Sequence, residues 1–197
     1  LGAAVVALAF NFAGCSRSTS PDGIAVSQGS FSTEGGDGSY PYAGLTQGKD
    51  GNLYGTTFSG GANNAGTVYR VSSGTKATTI YSFGSNDTDG SSPYAALVQA
   101  SDGNLYGTNS ANGADGKGTV FKITPAGVLT TLHSFGAGTD GAEPSANLIQ
   151  AKDGDFYGTT QSGGENGGGT IYKITSSGLV TTLYSFGEDE KDAAAPY

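Results

Sequence analysis

Along most of the chain, short apolar runs alternate with clusters of Gly, Asn, Asp and Ser. Residues 93–143 show the pattern clearly. Residues 93–100 (PYAALVQA) form an apolar run opened by a proline, which suits the first residue of a strand. Asp102-Gly103 follows, a strong hairpin signal. Residues 104–108 (NLYGT) predict a second strand, and a loop of Gly, Asn and Asp fills 109–118. Residues 119–124 (TVFKIT) are β-branched and aromatic and predict a third strand. Pro125-Ala126-Gly127 turns the chain, and residues 128–135 (VLTTLHSF) predict the fourth. Beyond the first residues, no stretch carries the helical period.

The same order of runs is written three times. It starts at Pro41, Pro93 and Pro144, and Pro196-Tyr197 opens it again; these prolines are 52, 51 and 52 residues apart. The closing Phe31, Phe83, Phe135 and Phe186 keep the same rhythm. Modules repeating at such a period bury their apolar faces by stacking on one another. Four antiparallel strands in about 50 residues match the blade of a β-propeller. Asp50-Gly51 and Asp153-Gly154 stand where Asp102-Gly103 does, and Gly178 stands where Gly127 does, with Gly74 one position earlier in the first copy. Glycine recurring at a turn is a backbone requirement, because it takes positive φ without penalty.

The expected fold is therefore all-β: a β-propeller-like array of four-stranded antiparallel blades, with three full copies and partial copies at both ends of an incomplete ring. A parallel β-helix uses shorter coils, and a sandwich does not repeat its strands so literally. A β-prism or trefoil also repeats threefold, but the frayed ends favour a propeller, which needs about four or more blades. The domain reading is a signal segment at 1–14, a Ser-rich tether at 15–23 and the end of a preceding blade at 24–40. Blades follow at 41–92, 93–143 and 144–195, and 196–197 begin a further one.

Composition narrows the function. Thirty-five glycines without a G-X-Y period mean many turns rather than collagen. A net charge of −8 argues against a nucleic-acid partner, which calls for a basic stripe. The single cysteine, Cys15, excludes a disulfide framework and a cysteine zinc site. Its setting is informative: the apolar run 1–10 is too short to span a bilayer and resembles the core of a secretory signal. It leads into Phe12-Ala13-Gly14-Cys15, which resembles a lipobox whose Cys15 is lipidated, although Phe12 stands where leucine is usual. This predicts an exported lipoprotein of the outer membrane or cell surface, touching the membrane only through that N-terminal anchor; an ordinary secreted protein is the alternative.

The recurring core, DGNLYGT, GTVFKIT and LTTLHSF with its sister copies, resembles the GloVer tandem repeat of bacterial "choice-of-anchor" exported proteins. The resemblance covers about residues 24–197. It implies a propeller-like, exported and anchored repeat region, and it carries no catalytic residues to transfer.

In an up-and-down blade, alternate connections share a face. One face receives only tight turns; the other receives the loops 58–66, 109–118 and 161–169 and the links 84–92, 136–143 and 187–195. Long loops on a rigid scaffold are where function is placed. Asp37, Asp89, Asp140 and Asp192 each lie four residues before a repeat proline. Either they cap turns through nearby backbone N–H groups, or they form a ring that binds Ca²⁺ or a basic partner. Capping is preferred, because calcium takes about six to eight oxygens and one Asp per blade makes no compact cage.

His133 occupies the slot of Tyr81 and Tyr184 and reads as a packing residue rather than a catalytic base. Arg70, Lys122 and Lys173 share a third-strand register, where long stems cover apolar surface. Tyr54, Tyr106 and Tyr157 read as blade-to-blade packing rather than a sugar-stacking platform. No nucleophile elbow, P-loop or dinucleotide fingerprint is present. The expected function is a non-enzymatic binding or scaffold module that meets a protein, a polysaccharide or a cation at its loop-rich acidic face, with no resident cofactor. The alternatives are a secreted propeller lyase or hydrolase acting on glycans, and a passive spacer. An enzyme should break the repeat symmetry in one blade, and the three copies show little asymmetry.

Overall fold

The computed structural model describes residues 36–72, 76–136, 138–188 and 196. Cys15, Phe31, Gly74 and Asp192 lie outside the described residues, as do the signal and tether segments. All regular structure among the described residues is β. The chain enters through β1 (Gly38–Ser39). The first blade comprises β2 (Thr46–Gln47), β3 (Leu53–Thr57), β5 (Thr67–Val71) and β6 (Thr78–Ser82), while β4 (Ser59–Gly60) pairs with β1. The second contains β7 (Val98–Gln99), β8 (Leu105–Asn109), β9 (Thr119–Ile123) and β10 (Leu129–Ser134). The third contains β11 (Ile149–Gln150), β12 (Phe156–Thr160), β13 (Thr170–Ile174) and β14 (Val180–Ser185). Each blade is a four-stranded antiparallel meander in chain order, and β2 of one blade lies against β7 of the next. First strands meeting first strands is the arrangement of blades around an axis, so the fold is β-propeller-like.

The second, third and fourth strands fall where the sequence predicts them. The first strand is shorter: only Val98–Gln99 of the 93–100 run pairs within its own blade. The residues before it bond sideways instead. Ala95 O accepts from Thr56 Oγ1 of the preceding blade at 3.1 Å, Leu97 O accepts from Thr46 Oγ1, and Ala96 N–H donates to Asn147 Oδ1 of the following blade at 2.7 Å.

The core lies between blades. Tyr54, Val68 and Phe83 of the first blade pack with Leu97, Leu105, Phe121 and Ile123 of the second. Ala100, Tyr106, Val120 and Phe135 of the second pack with Leu148, Phe156, Tyr172 and Ile174 of the third. Adjacent residues Val120 and Phe121 therefore serve opposite seams, as the strand's two-residue alternation requires. The same aromatic contact closes each seam: Phe83 to Phe121 at 5.1 Å, and Phe135 to Tyr172 at 5.0 Å.

Two recurring devices fit blade to blade. The pairing of third with fourth strand slips once per blade, at Ile80, Leu132 and Leu183. Such a bulge adds twist. The turn glycine of the next blade presses on that spot: a Cβ on Gly127 would sit 2.3 Å from Ile80 O, and one on Gly178 the same distance from Leu132 O. Those glycines are fixed by crowding as well as by their positive φ of 90° and 94°. The repeat proline seats on a second glycine. Pro93, Pro144 and Pro196 lie against Gly66, Gly118 and Gly169, where a Cβ would come within 2.6, 2.5 and 2.9 Å of the ring.

Candidate functional site

The tight-turn face is occupied by its own hydrogen bonds. In the first blade Asp50 accepts from the Asn52 N–H at 3.1 Å, the Asn52 amide at 2.7 Å and the Tyr54 hydroxyl at 2.6 Å. Asp102 repeats this with Asn104 and Tyr106, and Asp153 with the Asp155 N–H and Tyr157. Gly51, Gly103 and Gly154 take φ of 81°, 85° and 88° in these turns. The tyrosine hydroxyl donated to Asp50 is the main reason its carboxyl lies below the ordinary value, and Tyr157 does the same for Asp153. For Asp102, burial pushes upward, and the bonds from Asn104 and Tyr106 outweigh it. The ring of Tyr106 stacks on Phe156 of the next blade at 4.1 Å, so the tyrosine belongs to both seam and turn. Lys173 pairs with Asp155 at 2.6 Å and Asp153 at 3.4 Å, which raises its pKa.

The recurring Asp at the loop face sits at the seams. Asp89 is buried, and its carboxylate accepts from Tyr81 OH (2.9 Å), Gly84 N–H (3.1 Å), Ser85 N–H (3.0 Å) and Ser85 Oγ (2.8 Å). Its carbonyl accepts from Asn109 Nδ2 of the next blade at 2.9 Å. Asp140 is bound by His133 Nε2 at 2.6 Å and the Gly136 N–H at 3.3 Å, and its carbonyl accepts from Thr170 of the third blade. Asp37 pairs with Lys76 at 3.3 Å. His133 thus makes the contact with Asp140 that Tyr81 makes with Asp89, while its ring meets Phe135 edge-on at 4.8 Å. Among the described residues no three His, Cys, Asp or Glu side chains gather as metal ligands.

A different set of residues opens on the loop face beside the innermost strands. They line a cleft of about 480 Å³ formed by Phe58, Ser92, Tyr94, Ser110, Lys117, Glu143, Ser145 and Gln161, with Ala111 and Gly116. Seven of these belong to three repeat registers. Tyr40, Ser92 and Glu143 precede the prolines; Tyr42, Tyr94 and Ser145 follow them; Phe58, Ser110 and Gln161 follow the second strands. Backbone bonds hold the registers together identically in each blade. The carbonyls of Tyr40, Ser92 and Glu143 accept the N–H groups of Phe58, Ser110 and Gln161 at 3.0, 3.2 and 3.1 Å. Ser92 and Glu143 also donate their N–H groups to Ala65 O and Lys117 O of the preceding blade, at 2.9 and 2.8 Å. The pre-proline residues take φ of 58°, 58° and 59°, a left-handed backbone that costs about 1–3 kcal/mol per residue. Strain repeated at one rim, and held by the seams, fixes where these side chains project.

The scaffold is thus uniform and the side chains are not. The first blade contributes Tyr40, Tyr42 and Phe58; the second Ser92, Tyr94 and Ser110; the third Glu143, Ser145 and Gln161. The rim grades from aromatic to polar. Tyr40, Tyr42 and Tyr94 are 50, 58 and 47% exposed. Tyr42 lies 5.9 Å from Tyr40, 5.4 Å from Tyr94 and 5.7 Å from Phe58, and Phe58 meets Tyr94 edge-on at 6.2 Å. The copies differ at many positions, and these three registers bring one set of those differences to the cleft. Sequence reasoning passed over these residues because it followed what the copies share; lining up the three copies at the prolines supplies the signal.

The fold and this rim define a propeller-type repeat protein with an asymmetric cleft at its loop face. The sequence profile of the Gloeobacter/Verrucomicrobia repeat matches residues 14–197, and the chain belongs to that family. No curated protein matches the sequence. Among solved structures it is similar to virginiamycin B lyase from Staphylococcus aureus, with 20% identity over 71% of this chain and 40% of that one, at a TM-score of 0.49. It is also similar to a streptogramin B lyase, with 20% identity over 70% of this chain and 38% of that one, at a TM-score of 0.46. The chain spans less than half the length of either.

Proposed function

We propose that this chain is the binding part of an exported, surface-held protein, and that it takes its ligand at the loop-face cleft. The observation that carries this reading is a rim whose backbone repeats in each blade while its side chains change from Tyr40, Tyr42 and Phe58 to Glu143, Ser145 and Gln161 beside one cleft. Aromatic anchors with few rotatable bonds, set among serines, are the composition of recognition surfaces. Among the described residues lining the cleft Glu143 is the one acid, whereas glycoside hydrolysis ordinarily needs two facing carboxylates. Binding therefore fits better than hydrolysis. Export and anchoring rest on the apolar run at 1–10 and on Cys15; Cys15→Ser should then shed the protein into the medium, and unchanged membrane retention would end the anchor reading.

The cleft is tested by backbone amide NMR on the intact chain, titrated separately with soluble oligosaccharides, a proline-rich decapeptide and Ca²⁺. Shifts centred on Ser92, Tyr94, Glu143 and Gln161 are expected from a bound ligand. Shifts confined to the turns at Asp50, Asp102 and Asp153, or to the links around Asp89 and Asp140, would overturn it.

A further inference from the structure

Resting on that reading, we infer that the cleft is a carbohydrate site, and that it takes a strand of neutral pyranoses with equatorial hydroxyls. Such sugars have an apolar C–H face and a rim of hydroxyls that both donate and accept. The cleft has the matching halves. Its aromatic side is Tyr94 and Phe58, and Tyr42 adjoins both rings at the rim, Tyr42 and Tyr94 each being about half open to solvent. Tyr40 stacks on Tyr42 at 5.9 Å and 23°, and Tyr42 leans on Tyr94 at 5.4 Å and 37°, so the rings form one apolar wall beside the cleft. Such a wall meets the C–H face of a sugar ring. Its polar side is lined by Ser92, Ser110, Ser145, Glu143 and Lys117; the Ser110 and Ser145 hydroxyls donate to the Ser92 and Glu143 carbonyls at 2.8 and 3.3 Å and keep lone pairs to accept.

Other ligand classes fit less well. A polyanionic glycan or a nucleic acid would approach a chain of net charge −8 with one lysine in the cleft wall. A fully apolar ligand would strip water from the serines and Glu143 without replacing their hydrogen bonds. A proline-rich peptide would use the tyrosines but brings few donors for the Glu143 carboxylate. Sugar hydroxyls satisfy both sides at once.

The test is calorimetric titration of the intact chain with β-1,4-linked hexasaccharides of glucose, of xylose and of N-acetylglucosamine, and with the β-1,3-linked glucose hexamer. At least one should bind, and Tyr94→Ala and Tyr42→Ala should each weaken it roughly tenfold, the scale of one aromatic contact. Tyr94→Phe, which keeps the ring, should retain most of the affinity, and Val128→Ser, at an exposed turn outside the cleft, should retain all of it. Hexasaccharide binding that Tyr94→Ala and Tyr42→Ala leave unchanged would overturn the assignment. If no hexasaccharide binds but the proline-rich decapeptide shifts Ser92 and Tyr94, the carbohydrate class falls and the binding cleft stands. If no ligand touches the cleft, both fall.

Discussion

The seams and the rim are built on the same repeat and obey opposite rules. At the seams each copy writes the same residue types. Phe83 and Phe135 meet Phe121 and Tyr172, Gly127 and Gly178 press on Ile80 and Leu132, and prolines seat on glycines. At the rim the backbone is equally uniform, with φ near 58° three times, yet the side chains run from tyrosine through serine to glutamate. Where neighbouring modules must fit each other, variation is costly. Where the scaffold meets solvent, variation is open to selection by a ligand. Between the blades the packing repeats as well: Val98 and Leu132 lie against the third blade, and Thr56 and Thr108 bond to Ala95 O and Ala146 O of the next blade.

The largest expected break in this contrast is at a seam. Phe121→Ala removes a fully buried ring that Phe83 packs against and should cost about 3–5 kcal/mol by urea unfolding. A loss under about 1 kcal/mol would show that the seams are not the core. Glycines give a finer comparison. Gly103 and Gly127 both have positive φ, but nothing lies within 4 Å of a Cβ on Gly103. Gly103→Ala should cost only the left-handed backbone, about 1–2 kcal/mol. Gly127→Ala adds a collision with the Ile80 carbonyl and should cost more than about 2 kcal/mol. Equal losses would mean that blades do not press together at the bulge.

These devices were unevenly legible in the sequence. The Asp-Gly turns and the three longer strands of each blade could be read directly, because Asp102-Gly103 and the run TVFKI specify their geometry locally. The shortness of the first strand could not. Residues 93–97 look like any apolar strand, and only the neighbouring blade decides that Ala95 O and Ala96 N–H bond sideways. The rim was hidden for another reason. Copies differ at many positions, and Tyr42, Tyr94 and Ser145 become informative only when folding brings them beside Phe58, Ser110 and Gln161. Tyr54 and Tyr106 were readable as packing, but their hydroxyls' bonds to Asp50 and Asp102, four residues earlier, were not foreseen.

Those bonds set the pH dependence. Asp50, Asp102 and Asp153 have folded pKa values below the unfolded 3.8. Their contribution is present above that pH and is lost as the pH falls through the lower folded values. Tyr69, kept neutral by burial, rises from 10.0 to about 12. Its contribution is full below pH 10 and is lost as the pH climbs toward 12. Thermal melting should therefore show a plateau at neutral pH with an acid decline from the turns and an alkaline decline from buried Tyr69. A single decline at neutral pH would contradict both.

The smallest expected effect on stability is the most telling. If the rim's identities are free of the fold, residues at one register should exchange between blades, because their backbones already coincide. Tyr40 and Glu143 share φ of 58° and 59°, and both lie at the surface. Tyr40→Glu and Glu143→Tyr should each change unfolding free energy by no more than about 0.5 kcal/mol, the range of ordinary surface substitutions. The aromatic rings and the carboxylate would then have traded sides of one cleft with the scaffold unmoved. A cost above about 2 kcal/mol for either substitution would mean that the gradient from tyrosine to glutamate serves the packing of the blades, and the division between a repeated scaffold and an unrepeated recognition rim would no longer hold.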